Sequence, residues 1–336
     1  MFEDSRGKFW VGTSGDGLHI MDREKGSFER YPYDPAKPNQ LSRPPIGFNH
    51  EADHITFINE DNAGTIWIGT YEAGITSYNP DTKKITRYQM SNGFRDSSSW
   101  NGYISSDGTL WISTEKSNLL YSVDPVQKSI NSTLTVNRAN SLLEDKDGFL
   151  WVGTEGNGLL KYDQHRNLIK QFKPDPSEPL SLPDIRIGGM FQNQENCIWV
   201  GTYSDIRILN TVTQKFSRFQ DGGNLKDSDE VGFSKIFRDK QGIVWFGRWG
   251  LGLIRYNPND NTFKHFLSDA KDSTSLSTNQ VNSIIENRGA LWVGGLRGIN
   301  RLNRQTGRFK QYLTNTFITY LYEDSEGILW AGTEKG

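Results

Sequence analysis

The side chains with chemistry to offer in this sequence are aromatic and ionic. Trp249 sits in "GRWGLG" (247–252) and Trp100 in "RDSSSWNGY" (95–103), both expected in loops, the latter just before an innermost strand. Tyr71 and Tyr203 stand directly after a "GT" pair, at the position Trp249 holds after "GR"; Ser14, Glu115 and Glu155 hold it elsewhere. Flat rings at a repeated position can lie against the apolar faces of a sugar, and nearby ions can hydrogen-bond hydroxyls, carboxylates or sulfates. Arg95, Arg248, Arg297 and Asp229 are the ionic candidates, with Glu230, His50, His54, Arg138 and Arg186 beside them. The competing reading is that an aromatic after "GT" simply covers neighbouring backbone, and that the arginines are ordinary solvated surface.

Catalytic and metal-binding patterns are missing. The sequence has no nucleotide-binding glycine loop, HExxH pair, CxxC pair or G-x-S-x-G elbow. "GGLRG" (294–298) has too few glycines in the right order for a dinucleotide site. In "HEADH" (50–54) the two histidines have metal-ligand spacing only on a helix, so no metal is expected. A glycan hydrolase or lyase needs two carboxylates converging within roughly 5–10 Å. Asp229-Glu230 and Glu51-Asp53 are the pairs on offer, with no arrangement supporting them, so no catalytic residue is assigned and no enzyme activity is expected. Cys197 is the single cysteine; it precedes "IWV" and reads as a buried, inert thiol.

Composition narrows the class. The 336 residues carry 38 Lys+Arg against 40 Asp+Glu, a formal net charge of −2, which argues against nucleic acid as the main ligand. Mean hydropathy is −0.65 and apolar runs are only a few residues long, so no direct membrane contact is expected. The acidic opening "MFED" excludes a signal peptide in the chain as given. Ten tryptophans and eighteen phenylalanines need burial, which excludes disorder.

Eight of those tryptophans set a repeat: Trp10, Trp67, Trp111, Trp151, Trp199, Trp245, Trp292 and Trp330, at intervals of 57, 44, 40, 48, 46, 47 and 38 residues. Such periods indicate an array of similar units. "DSRGKFWVGT" (4–13), "DNAGTIWIGT" (61–70), "DKDGFLWVGT" (145–154), "DKQGIVWFGR" (239–248) and "DSEGILWAGT" (324–333) are near-copies. Each unit reads as four short strands. An apolar stretch such as "HITFINED" (54–61) leads through a Gly turn into the Trp strand. A third strand such as "LLKYD" (159–163) follows, then a fourth such as "FKHF" (263–266). In that last strand the apolar residues are spaced by three, which predicts a bulge or twist. Four strands in some 40–48 residues make one blade of a β-propeller. The tryptophans then fill the wedge between blades, and the Gly two residues on leaves room for the neighbour. The Asp six before each Trp is expected to hold turn amides rather than to catalyse.

This pattern, "D-x-x-G-x-(L/I)-W-(V/I)-G-T-x-x-x-G-(L/I)", resembles the two-component regulator propeller repeat over essentially the whole chain. The resemblance implies the ligand-sensing region of a bacterial hybrid sensor kinase, in a family whose members usually carry two seven-bladed propellers, a small β-sandwich, a membrane helix and cytoplasmic kinase and regulator parts. It implies a periplasmic location, an oligosaccharide or other small ligand, no cofactor, and a second propeller or a homodimer as partner. The expected fold is all-β: a β-propeller of four-stranded antiparallel blades spanning 1–336, seven-bladed, with eight blades or a partial ring as alternatives. The last half-repeat, about 317–336, either closes the ring or begins a second propeller, so the chain reads as a piece of a longer array. An interaction scaffold is the alternative function, and a propeller glycosidase or lyase the third.

Overall fold

The computed structural model describes residues 1–31, 41, 54–71, 74–88, 99–114, 118–124, 126–127, 129–135, 137–194, 196–219 and 233–334. The fold is all-β, a β-propeller fold of seven four-stranded antiparallel blades, and no helix occurs among the described residues. The first blade is β1 (Phe2–Glu3), β2 (Phe9–Gly12), β3 (Leu18–Asp22) and β4 (Ser27–Tyr31). The second is β5 (Ile55–Glu60), β6 (Ile66–Thr70), β7 (Gly74–Asn79) and β8 (Lys84–Tyr88). The third is β9 (Ser99–Ile104), β10 (Leu110–Thr114), β11 (Leu119–Val123) and β12 (Ile130–Thr135). The fourth is β13 (Ala139–Glu144), β14 (Leu150–Thr154), β15 (Leu159–Tyr162) and β16 (Leu168–Phe172). The fifth is β17 (Ile187–Gln194), β18 (Cys197–Thr202), β19 (Ile206–Asn210) and β20 (Phe216–Arg218). The sixth is β21 (Phe233–Arg238), β22 (Val244–Arg248), β23 (Gly252–Asn257) and β24 (Thr262–Phe266). The seventh is β25 (Val281–Asn287), β26 (Ala290–Gly295), β27 (Gly298–Leu302) and β28 (Phe309–Tyr312). A hairpin of β29 (Ile318–Glu323) and β30 (Leu329–Thr333) ends the described chain.

The chain divides into two compact units, Met1–Glu144 and Asp145–Gly336. In the first, Trp10 is buried with Leu18 and Ile20 of its own blade and Ile66 and Ile68 of the next. Trp67 packs in the same way with Leu110 and Ile112. In the second, Trp199 stacks on Phe246 of the following blade (ring centroids 5.4 Å apart), and Trp245 packs with Leu291 and Val293. The terminal hairpin continues the pattern, Trp292 packing with Ile318, Leu321 and Leu329. Each repeat tryptophan named here is thus a wedge between consecutive blades.

The Asp six residues before the Trp does more than hold a turn. Asp4 Oδ1 accepts the amides of Arg6 (3.0 Å) and Lys8 (2.8 Å), while Oδ2 accepts Trp10 Nε1 (2.8 Å). The same carboxylate-to-indole bond joins Asp61–Trp67, Asp145–Trp151, Asp239–Trp245 and Asp324–Trp330, at 2.7–2.8 Å. Burying a carboxylate is costly unless its lone pairs are used, and three N–H donors use them here. Two copies depart. Ser105 Oγ takes the place of the carboxylate for Trp111 at 3.2 Å. At Trp292 the residue is Glu286, whose oxygens accept Lys240 N (2.7 Å) and Arg304 Nη2 (3.2 Å), and Trp292 Nε1 has no hydrogen-bond partner among the described residues.

Glycine after the Trp is a close-approach residue. A Cβ on Gly69 would lie 2.2 Å from Phe57 Cε1 and 2.7 Å from Ser99 Oγ of the next blade. Where the outer strands were expected to bulge, the register shifts only in the third and fourth blades, between Leu120 and Tyr121 and between Lys161 and Tyr162. The recurrent bulge lies elsewhere, near the start of the innermost strand. It falls between Ile55 and Phe57, Ile187 and Gly189, Phe233 and Lys235, Val281 and Ser283, and Ile318 and Tyr320. One residue is thereby left without a cross-strand partner in each of these five strand pairs, and a bulge re-aims that residue's side chain.

Candidate functional site

In each blade the turns between the second and third strands share an end with the start of the innermost strand, because neighbouring strands run antiparallel. The Thr of "GT" closes that turn. Thr13, Thr70 and Thr154 each donate Oγ1–H to the carbonyl of Gly17, Gly74 and Gly158 at 2.8 Å. Gly158 has φ +74, and a Cβ there would meet Phe172 O at 2.1 Å, so the turn admits no other residue without distortion. The residue after "GT" is then tied to the residue preceding the innermost strand of its own blade. Tyr71 N donates to His54 O (2.9 Å), Tyr203 N to Arg186 O (3.2 Å) and Leu296 N to Gln280 O (3.2 Å).

These backbone ties place side chains in pairs. In the first unit the rings of His54 and Tyr71 stack with centroids 5.7 Å apart, and Ser14 Oγ lies 3.4 Å from His54 Nδ1. Trp100 lies inside β9 rather than in the loop before it, which corrects the sequence expectation. It is the extra residue of a bulge, since Ser99 pairs Thr114 while Asn101 pairs Ser113. The bulge leaves its indole 38 % exposed, with the Arg138 guanidinium 4.1 Å from the ring centroid.

In the second unit the Arg186 guanidinium sits 4.7 Å from the Tyr203 ring. Asp184 holds Arg186 through Nε (3.2 Å) and Nη2 (2.9 Å). Partial burial opposes ionisation of Asp184, yet the Arg186 fork and the amides of Arg186 and Ile185 keep its carboxyl below the ordinary range. Trp249 lies in the β22–β23 turn, 43 % exposed, and donates Nε1–H to Asn282 Oδ1 at 3.0 Å. Asn282 is the bulge residue of β25 and passes its own Nδ2–H to Ile318 O at 3.1 Å. The bulge that presents Trp100 in one blade presents the acceptor for Trp249 in another. Arg297 is exposed in the β26–β27 turn.

Of the remaining sequence candidates, Arg95 and Asp229 lie outside the described residues, as do His50, Glu51, Asp53 and Glu230, and so does the Arg248 side chain. Tyr71 and Tyr203 are half-buried against His54 and Arg186, which fits the covering role; Trp100 and Trp249 stand out more. Cys197 is half-buried at the first position of β18, less enclosed than expected, because it opens the strand beside the turn. Sequence reasoning missed Lys235. It is half-buried on β21 directly after a bulge, and burial pushes its ammonium pKa down. Nothing in the local sequence "GFSKIFRD" marks it.

The model of the two-component regulator propeller family matches residues 133–156 and 312–335, so these two segments carry its repeat. Histidine kinase P4 of Formosa agariphila is 27% identical over 185 residues, 52% of this chain and 13% of that protein. The crystal structure of the extracellular domain of a hybrid two component system from B. thetaiotaomicron is 25% identical with a TM-score of 0.55, covering 97% of this chain and 42% of that one. A second such domain from the same organism is 19% identical with a TM-score of 0.57, covering 99% of this chain and 48% of that one, and shares the fold. Virginiamycin B lyase from Staphylococcus aureus is 18% identical with a TM-score of 0.58, covering 83% of this chain and 92% of that one; it too shares the fold alone. The chain spans less than half the length of these extracellular domains, and its match covers about an eighth of the kinase.

Proposed function

We propose that this chain, built of two-component regulator propeller repeats, is a non-catalytic sensor propeller of a two-component signalling system, working in the periplasm and binding an oligosaccharide at the turn ends of its blades. The observation that carries the ligand class is the pair of exposed indoles, Trp100 beneath Arg138 and Trp249 tethered to Asn282. Each presents a flat apolar face beside polar groups already held in place, the combination that sugar rings with their hydroxyls require. The likeness to extracellular domains of hybrid systems supports the sensor role. Signalling would follow from a ligand that prefers one of two arrangements of the assembly, with a second propeller or a second copy of the chain as partner.

Titration of the 336-residue chain with a panel of neutral and acidic oligosaccharides, followed by calorimetry and tryptophan emission, tests this reading. At least one glycan should bind saturably, and Trp100→Ala or Trp249→Ala should weaken it tenfold or more. A panel without response, or a response untouched by both substitutions, would overturn the assignment.

A further inference from the structure

The other end of the seventh blade carries a different kind of surface. An open groove of about 590 Å³ is lined by Arg288, Arg301, Arg304, Arg308 and Lys310, and no Asp or Glu lines it. Arg288 comes from the β25–β26 turn, Arg304 and Arg308 from the β27–β28 turn, and Arg301 and Lys310 from the strands between. Leu302 and Phe309, both buried, are part of the same lining.

The five cations are not equivalent. Arg304 is neutralised, its Nη1 2.5 Å from Asp239 Oδ2 and its Nη2 3.2 Å from Glu286 Oε1. Among the described residues the other four form no ion pair, and all four are exposed. Arg288 Nη2 donates to the Glu326 carbonyl (3.3 Å), the Arg301 guanidinium lies 5.8 Å from the Trp292 ring, and Lys310 Nζ lies 5.2 Å from the Tyr312 ring. None of these contacts cancels a charge. Asp272 feels Arg308, but as the least of the influences on its carboxyl. Arg301 and Lys310 also face each other directly across the β27–β28 ladder. Like charges so placed destabilise a sheet. At the corresponding turns of the first unit the arginines are paired, Arg6 with Glu60 and Asp81, and Arg23 with Glu3.

A concavity of ligand size whose cations repel one another is relieved by an anion, and one with several charges relieves more of the repulsion than a simple ion. Arginine forks match the planar oxygen edges of sulfate and phosphate. We propose that this groove binds a multivalent oxyanion, a sugar-sized molecule bearing sulfate or phosphate groups, separately from the indole-bearing ends of the blades.

The test uses sucrose octasulfate and inositol hexakisphosphate as probes, titrated into the full chain by calorimetry at low ionic strength, with unsubstituted sucrose as the neutral control. Saturable binding of either probe, weakening as salt is added, is expected. The double variant Arg301→Gln/Lys310→Gln should lose tenfold or more in affinity, while Lys170→Gln, an exposed lysine of the fourth blade, should not. Both exchanged side chains are exposed and mutually repulsive, so the double variant should melt no lower than the parent. Binding of one probe assigns the oxyanion, and binding of both shows that charge is read without distinction. Binding of neither, or binding that survives the double substitution in a folded variant, overturns the proposal.

Discussion

Two populations of tryptophan occupy this molecule, and one side chain serves opposite ends in them. Trp67 is buried between blades with its Nε1–H on the buried carboxylate of Asp61. Trp249 donates the same N–H to Asn282 at the surface and stays 43 % exposed. What differs is the surroundings of the ring. In the wedge position the indole is enclosed by apolar side chains of two blades, so its value is in packing. At the turn it rests on one polar anchor, so little stability depends on it and a face remains for a ligand.

The sharpest way to break this contrast is truncation. Trp67→Ala should cost about 3–5 kcal/mol, as large aromatic deletions in cores do, seen as a fall in thermal midpoint or loss of soluble protein. Next comes the carboxylate clamp. Asp61→Ala strips acceptors from the Trp67 N–H and from the amides of Ala63 and Thr65, and should cost about 2–3 kcal/mol in chemical denaturation. The clamp can also be read from the indole side. Trp67→Phe leaves a buried carboxylate short of one donor, whereas Trp292→Phe removes an N–H that has no partner. The first should exceed the second by about 1–2 kcal/mol. Equal costs would mean that the clamp contributes no specificity to the wedge.

Smaller effects sharpen the comparison at the turn ends. Lys235 has its ammonium disfavoured by burial, so its folded pKa lies below that of the unfolded chain. Stability from this residue therefore rises with pH above the folded pKa and levels off near the unfolded value. Lys235→Met should raise the thermal midpoint at neutral pH, and the gain should shrink as pH approaches the ordinary lysine range of about 10.4. A gain independent of pH would point to packing instead of charge. Smallest of all, Trp249→Ala and Trp100→Ala should change stability by less than about 1 kcal/mol, since neither ring is enclosed. A core-sized loss at either would move that residue into the wedge population.

Much of the wedge was legible in advance. The six-residue spacing from Asp61 to Trp67 and the Gly at 69 are local features, and their reason is local geometry: a tight turn, a strand and a close approach. The indole as third donor to that Asp was less visible, because a spacing does not say which atoms meet. The turn ends were legible only in part. Trp249 could be placed from its distance to Trp245, but Trp100 read as a loop residue. Its bulge depends on how Ser99 and Asn101 pair with another strand, and no stretch of sequence displays cross-strand register. Arg301 and Lys310 looked like scattered surface cations until β27 and β28 set them opposite each other.

By itself, then, the sequence determined the repeat, the all-β blades and the buried tryptophans, because all three follow from periodicities within one blade. Tertiary structure alone decided which aromatic rings remain uncovered, which carboxylate meets which indole, and where positive charge gathers without a counter-ion. Those outcomes depend on cross-strand register and on which atoms meet, between partners from 6 to 65 residues apart in the chain, where pairing geometry and not composition sets the distances.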